Sequence, residues 1–362
     1  MSIEKCKNLL YKSLPAVLGI CIGGLLGVIG TVLVIGPAKK PQAALGAVRP
    51  AAFLPAIGSL PSAAEHVRQH EQAHVRAVRR KHDPKPKAPP RATISLYERS
   101  TVRSVFRAQG CGAAQRGATG VVILDFGKPA YNGHTYGTIL FSGVFAGNKD
   151  ITHAMGAYAT GYVRCLPKGS RDRIALARGT SNYHPSVPSV YKAGSKWARE
   201  TRQLQRALAA AKFESHVSAA AADDVEPAWD PSFWRTRDFY RGYADSRVGL
   251  ALYNYGSLDG GIISGYWNVH QAFFVTGGMR YAHAIPEIYN QTMAREWAAL
   301  AQVAQHRYHR PVKFAGVMTE RTAGNHGVKP RDAHRMLVRQ LAVQGHGQLA
   351  SVPAAYTNIT SY

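Results

Sequence analysis

The sequence predicts an α/β protein of the (β/α)8 barrel class, with the barrel occupying residues 93–345. Short apolar runs alternate with helix-period segments over about 240 residues, the pattern of a parallel sheet with crossover helices. The runs are almost continuously apolar, as strands covered on both faces must be. Polar residues also sort to one place: Asp125, Asn182, Asp224, Glu226, Asn254, Glu287 and Glu320 each fall at or just past the C-terminal end of a proposed strand. In a barrel those ends make a single face, the one on which active sites are built.

Taken in order, Met1–Ser13 carries Lys5, Lys7 and Lys12 and reads as a cytoplasmic N-terminus. Leu14–Gly36 is uncharged and long enough to cross a hydrocarbon core of about 30 Å. It reads as a single-pass membrane anchor, with a cleaved secretory signal as the rival; signal cores are shorter, about 7–15 residues. Gly19, Gly23 and Gly27 would let two such helices approach closely as a homodimer. Residues 37–92 form a basic linker rich in Pro and Ala, a stalk ending in Asp83-Pro-Lys-Pro-Lys-Ala-Pro-Pro-Arg91. His66, His70 and His74 share a helix face there and read as a solvated face rather than a metal site.

Within the barrel, Gly120–Gly127 is a strand carrying Asp125, and Tyr136–Phe145 is a second apolar run. Arg173–Arg178 is a third, leading to Asn182. Ser195 caps a helix to Ala211, with Trp197, Thr201, Leu204 and Leu208 on one face. Ser218–Asp224 is a strand, after which Asp230 caps and Pro231 opens a helix to about Tyr243. Val248–Tyr255 and Tyr281–Ile285 are strands, and Asn290 caps a helix that turns Met293, Trp297, Leu300 and Ala304 inward. Val312–Met318 is the last strand and Arg331–Val343 the last helix, leaving 346–362 as a C-terminal tail.

The richest stretch for chemistry is Asp223-Asp-Val-Glu226. Strand side chains alternate, so Asp224 and Glu226 point the same way, roughly 7 Å apart at about 3.3 Å per residue. Two carboxyls so placed can share acid and base work on a glycosidic bond. The alternative is a helix-capping cluster with solvated loop acids. Asp125 joins them as a catalytic candidate, while Asn182, Tyr253, Asn254, Glu287 and Glu320 are candidates for substrate contact. Tyr266 and Trp267, beside His270, can stack on a sugar ring or pack as core.

The formal charge of +24 favours polyanionic partners such as acidic wall polymers or anionic headgroups. No nucleic-acid recognition motif accompanies it, so nucleic acid is an unexpected partner. The chain lacks a nucleophile elbow, zinc-ligand spacings and a dinucleotide fingerprint, so neither cofactor nor metal is expected. If the barrel is exported, Cys111 and Cys165 are expected to pair as a structural disulfide.

The segments Val121-Val-Ile-Leu-Asp-Phe-Gly127, Tyr136–Asn148, Leu176–Tyr183, Ala222–Asp230, Pro286–Asn290 and Gly316–Glu320 resemble a family of secreted bacterial proteins. That family has a glycoside-hydrolase-like TIM barrel (a domain of unknown function, the DUF1906 type), and the resemblance covers about residues 93–345. A looser likeness is to barrel muramidases, matched by Asp125 and by Asp224-Val225-Glu226. It implies Glu226 as general acid, with Asp224 and Asp125 orienting substrate and stabilising charge. Where muramidases carry Asp-(Val/Ile)-Ser, this chain has Asp125-Phe126-Gly127, and Pro227 follows Glu226. The expectation is an extracytoplasmic barrel, membrane-anchored or secreted, that hydrolyses or binds cell-wall polysaccharide. The alternative is a catalytically inactive surface scaffold that docks anionic wall polymer.

Overall fold

The computed structural model describes residues 92–259, 266–321, 328–345 and 351–361. The expected anchor and stalk lie outside them, as does the glycine motif at Gly19, Gly23 and Gly27. Among the described residues no helix is long and apolar enough to cross a membrane.

Strands β1 (Thr93–Tyr97), β2 (Gly120–Asp125), β6 (Ile174–Ser181), β7 (Val217–Asp224), β8 (Leu252–Asn254), β9 (Ala282–Ala284), β10 (Val317–Thr319) and β11 (Tyr356–Ser361) form one sheet. All its paired neighbours run parallel, in the order β10-β11-β1-β2-β6-β7-β8-β9, and the sheet curls into a barrel-like shape. Isolated parallel bridges join the flanks of the two edge strands, Ala284 with Phe314 and Glu287 with Met318. The Ile288 N–H donates to the Met318 carbonyl at 3.0 Å, and the Met318 N–H to that of Pro286 at 2.9 Å.

Alternation divides each strand between two cores. Val121, Ile123, Ala177, Ala220, Ala222, Tyr255, Ile285, Met318 and Ile359 pack together on the concave face. Val122, Leu124, Leu176, Ala219 and Ala221 pack outward against helices. These are α1 (Arg103–Gln115), α2 (Asn148–Cys165), α3 (Val190–Ala210), α4 (Trp234–Asp245), α5 (Val269–Phe273), α6 (Gln291–Tyr308) and α7 (Pro330–Gly345). The helix pairs pack backbone to backbone. A Cβ on Gly110 would lie 2.0 Å from the Tyr158 carbonyl, and one on Gly242 2.0 Å from that of Tyr191. Cys111 and Cys165 form a disulfide that fastens α1 to the end of α2. Arg178 is fully buried behind β6, stacked 4.0 Å over Trp197 and donating to Asn148 and Thr152.

Several expectations are corrected. The run Tyr136–Phe145 is no sheet strand. With β3 (Lys128–Tyr131), β4 (Tyr136–Ile139) and β5 (Phe145–Gly147) it makes a separate three-stranded antiparallel sheet inserted after β2. An apolar run announces burial but not its pairing partner. Residues 356–361, expected in the tail, are β11, which pairs with both β1 and β10. Hydroxyls stand among the inward residues of β1 and β11: Ser95 and Thr357 meet at 2.7 Å, and Ser95 accepts the Ile123 N–H at 2.8 Å. Polar faces hide such strands from a hydrophobic pattern.

The helix expected from Ser195 begins earlier, at Val190, because the Ser189 hydroxyl takes the Lys192 N–H at 3.2 Å. The next begins later than Pro231, at Trp234, with Phe233 at φ 66° as the capping residue. Asp230 nonetheless accepts the Thr236 N–H at 2.8 Å from outside the helix. Asn290 caps α6 as expected, through the Met293 N–H at 3.0 Å.

The disulfide closes a loop of sequence separation 54. Replacing Cys111 and Cys165 together with Ser should lower unfolding free energy by about 4 kcal/mol in the loop-entropy account. Denaturant titration checks this, and a loss under 1 kcal/mol would contradict it.

Candidate functional site

The concave face runs Ala220, Ala222, Asp224 along β7 and Val121, Ile123, Asp125 along β2. Outward-packed Val225 leaves Glu226 on the same side as Asp224. Small residues make the approach of β2 and β6 possible: a Cβ on Gly179 would stand 2.9 Å from the Asp125 Cα. Gly256 serves the neighbouring loop, where a Cβ would lie 2.3 Å from the Val225 carbonyl.

The groups at this end of the sheet are acidic and largely withdrawn from water. Asp125 is 0% exposed, Asp224 5%, Glu287 3% and Glu320 6%. Burial is the first cause that raises Asp224, followed by the charges of Glu287, Glu226, Asp125 and Glu320. The ends of β2, β7, β9 and β10 therefore meet electrostatically. Burial pushes Glu226 up to about 8, with Asp259 and Glu320 adding to it. Burial likewise raises Glu287, helped by Glu226 and Glu320. Burial raises Asp125 to about 7, held back by the Gly127 N–H on its Oδ1 (2.8 Å).

Asn182, a candidate for substrate contact, lies against Glu226. Its Oδ1 accepts the Glu226 N–H at 3.0 Å and its Nδ2 donates to the Glu226 carbonyl at 3.0 Å. Nδ2 also reaches the Thr236 hydroxyl at 3.1 Å. Asn182 thus fixes the backbone of Glu226 against β6 and α4. Asn254, also expected at substrate, is 1% exposed and spends its Oδ1 on the Gly256 N–H at 3.1 Å. Trp267 is core: it is 3% exposed, donates to the Asp230 carbonyl at 2.7 Å and packs edge-on to Phe233. Tyr266 is 46% exposed, and no described contact ties it to the carboxyls. Tyr253 is half-buried, 6.0 Å from the His283 ring.

Sequence reasoning missed three tyrosines and two acids. Tyr97, at the end of β1, feels Glu287, Asp224, Glu320 and Asp125. Tyr255 donates to the Thr180 carbonyl at 3.1 Å, and Tyr289 to Glu320 at 3.5 Å. Asp259 accepts the Ala228 N–H at 2.8 Å and so braces the turn (Pro227–Trp229) after Glu226. Glu98, 2% exposed and 3.4 Å from Gln109, is raised by burial to about 8. Strand parity was the available signal for Tyr255, which shares a face with Tyr253.

Among the described residues no group of three or more His, Cys, Asp or Glu is arranged to hold a metal ion. What the arrangement offers is proton chemistry: buried carboxyls that hold their protons more tightly than free ones, gathered at the strand ends. Scanned against protein-family models and against curated proteins, the chain finds no match in either.

Two predictions follow from these raised carboxyls and their clamp. Below a pH of about 4 the carboxyls are protonated in both folded and unfolded chains, so they exert no pH-dependent effect. As pH rises above about 4 the unfolded chain loses those protons first, so stability falls until the raised carboxyls of the folded chain titrate in turn. Asp224→Asn should raise the Tm at pH 8 by several degrees and leave it nearly unchanged at pH 4, read by thermal scans. Destabilisation at both values would make Asp224 a structural cap. Asn182→Ala, which strands the Glu226 N–H, should cost about 1–3 kcal/mol in denaturant unfolding.

Proposed function

We propose that the chain is an extracytoplasmic glycoside-hydrolase-like enzyme acting on cell-wall polysaccharide, with its sheet closing as a (β/α)8 barrel. The bridges between the flanks of β9 and β10 support closure, because they supply the pairing the sheet order lacks. The reading rests chiefly on Glu226, a carboxyl held up to about 8 on the concave side of the strand ends. A general acid working near neutral pH needs its proton on before the reaction, and that value provides it.

In this mechanism Glu226 protonates the glycosidic oxygen as the bond to the departing sugar breaks, and a water then adds to the anomeric carbon and returns its proton to the Glu226 carboxylate. Asp125, at about 7, holds negative charge for a substantial share of the time and faces the cationic character that develops on the sugar ring. Asp224, raised by burial and by the acids around it, orients substrate by hydrogen bonding. Asn182 positions Glu226 through its backbone. The kinship with the glycoside-hydrolase-like barrel family and the muramidase-like pattern at Asp125, Asp224 and Glu226 belong to the same proposal. So does export: the Cys111–Cys165 disulfide suits an oxidising compartment, reached by a chain whose residues 14–36 anchor it or are cleaved.

One observation favours a second reading. Asp224 and Glu287 are both raised well above ordinary carboxyl values, so the cluster holds more neutral acids than hydrolysis requires. Under that reading the protein is an inactive binder that docks anionic wall polymer through basic surface.

Purified peptidoglycan incubated with the chain should yield new reducing ends, and Glu226→Gln should cut that rate by about 10²–10⁴. Equal release by both proteins would end the enzymatic reading. Retention of polymer that survives Glu226→Gln and collapses with added salt would establish the binding reading instead.

A further inference from the structure

We propose that Lys128, Tyr183 and Trp229 form a subsite beside Glu226 that seats an acidic sugar, its carboxylate against Lys128. This rests on the glycan reading above and names the class of sugar. The three residues come from three successive strand ends of the sheet: Lys128 opens β3 just past Asp125, Tyr183 follows Asn182, and Trp229 lies in the turn after Glu226. One is fastened to the Glu226 backbone and another adjoins a residue that is. The Trp229 N–H donates to the Glu226 carbonyl at 3.0 Å, and Tyr183 is the next residue after the asparagine that clamps Glu226. A sugar held by these rings is therefore registered to the acid.

The rings themselves make a corner. Tyr183 and Trp229 meet edge to face, with centroids 5.4 Å apart and planes at 80°. Both are half-buried, so each keeps part of its surface open to solvent. The C–H face of a pyranose packs on such a surface, while its hydroxyls stay in water. The Lys128 ammonium stands 5.6 Å from the Tyr183 centroid, and exposed His184 packs against the ring's edge at 4.7 Å. As a point charge on a flexible stem, Lys128 can turn from the ring to a carboxylate at small cost.

Asp259 borders the same turn and is occupied by the Ala228 N–H at 2.8 Å and the Ser257 hydroxyl at 2.9 Å. Lys128 is then the cation that an anionic substituent meets in this corner.

The test measures binding in the full chain carrying Glu226→Gln, so that turnover does not consume the ligand. The probes are peptide-free peptidoglycan oligosaccharides, whose alternate sugars bear a free lactyl carboxylate, and the same oligosaccharides methyl-esterified. By calorimetry the free acid should bind about two- to fivefold more tightly than the ester. Lys128→Gln should erase that difference and leave the ester's affinity unchanged. Trp229→Ala should weaken both about tenfold, with Trp229→Phe recovering much of the loss. Equal affinity for acid and ester, or a preference that survives Lys128→Gln, overturns the proposal. Absence of binding to either probe also overturns it, while reducing-end release from intact wall by the unmodified chain separately judges the hydrolytic reading.

Discussion

Withdrawing carboxyl groups from water beside one another is the constraint on which the rest of the structure turns. Among the described residues, the charges acting on Asp224 are all acidic, and burial outweighs each of them. An ionised carboxylate in such a place would be costly, so the groups keep protons that they would lose in the unfolded chain. The site is thereby reactive and unfavourable for folding at once. Asp125 shows how the cost is contained: the Gly127 N–H on its Oδ1 holds it near 7, lower than its complete burial alone would allow.

The scaffold around this cluster is stiff where it must be. Helices α1 and α2 touch backbone to backbone at Gly110 and are joined by the disulfide at Cys111, one residue on. Helices α3 and α4 meet in the same manner at Gly242. Behind β6, the buried Arg178 ties that strand to α2 and α3 through Asn148, Thr152 and Trp197. Asn182 and Glu226 exchange two hydrogen bonds just past the ends of β6 and β7, so the position of the acid is set by two strands rather than by one loop. Loops carry the chemistry because rigid elements aim them.

Much of the architecture is written locally. Alternation along Ala220, Ala222, Asp224 and along Val121, Ile123, Asp125 is a property of adjacent residues, and so are the helix period of α6 and the Asn290 cap. For that reason the sequence by itself determined that this is an α/β protein, that acids gather at strand ends, and that Asp224 and Glu226 share a face. Residues whose roles depend on distant partners were opaque. Ser95 and Thr357 lie 262 positions apart, and only their contact makes strands of two polar segments. Tyr97 is an ordinary strand tyrosine until Glu287, Asp224, Glu320 and Asp125 surround it. Trp267 faces core rather than solvent because the Asp230 carbonyl and Phe233 receive it. Tertiary structure also decided that Asn182 clamps the Glu226 backbone, and that the run after β2 pairs with itself outside the main sheet. The physical reason is the same throughout: periodicity encodes which way a side chain points, while hydrogen-bond partners and desolvation come from chain segments far away in sequence.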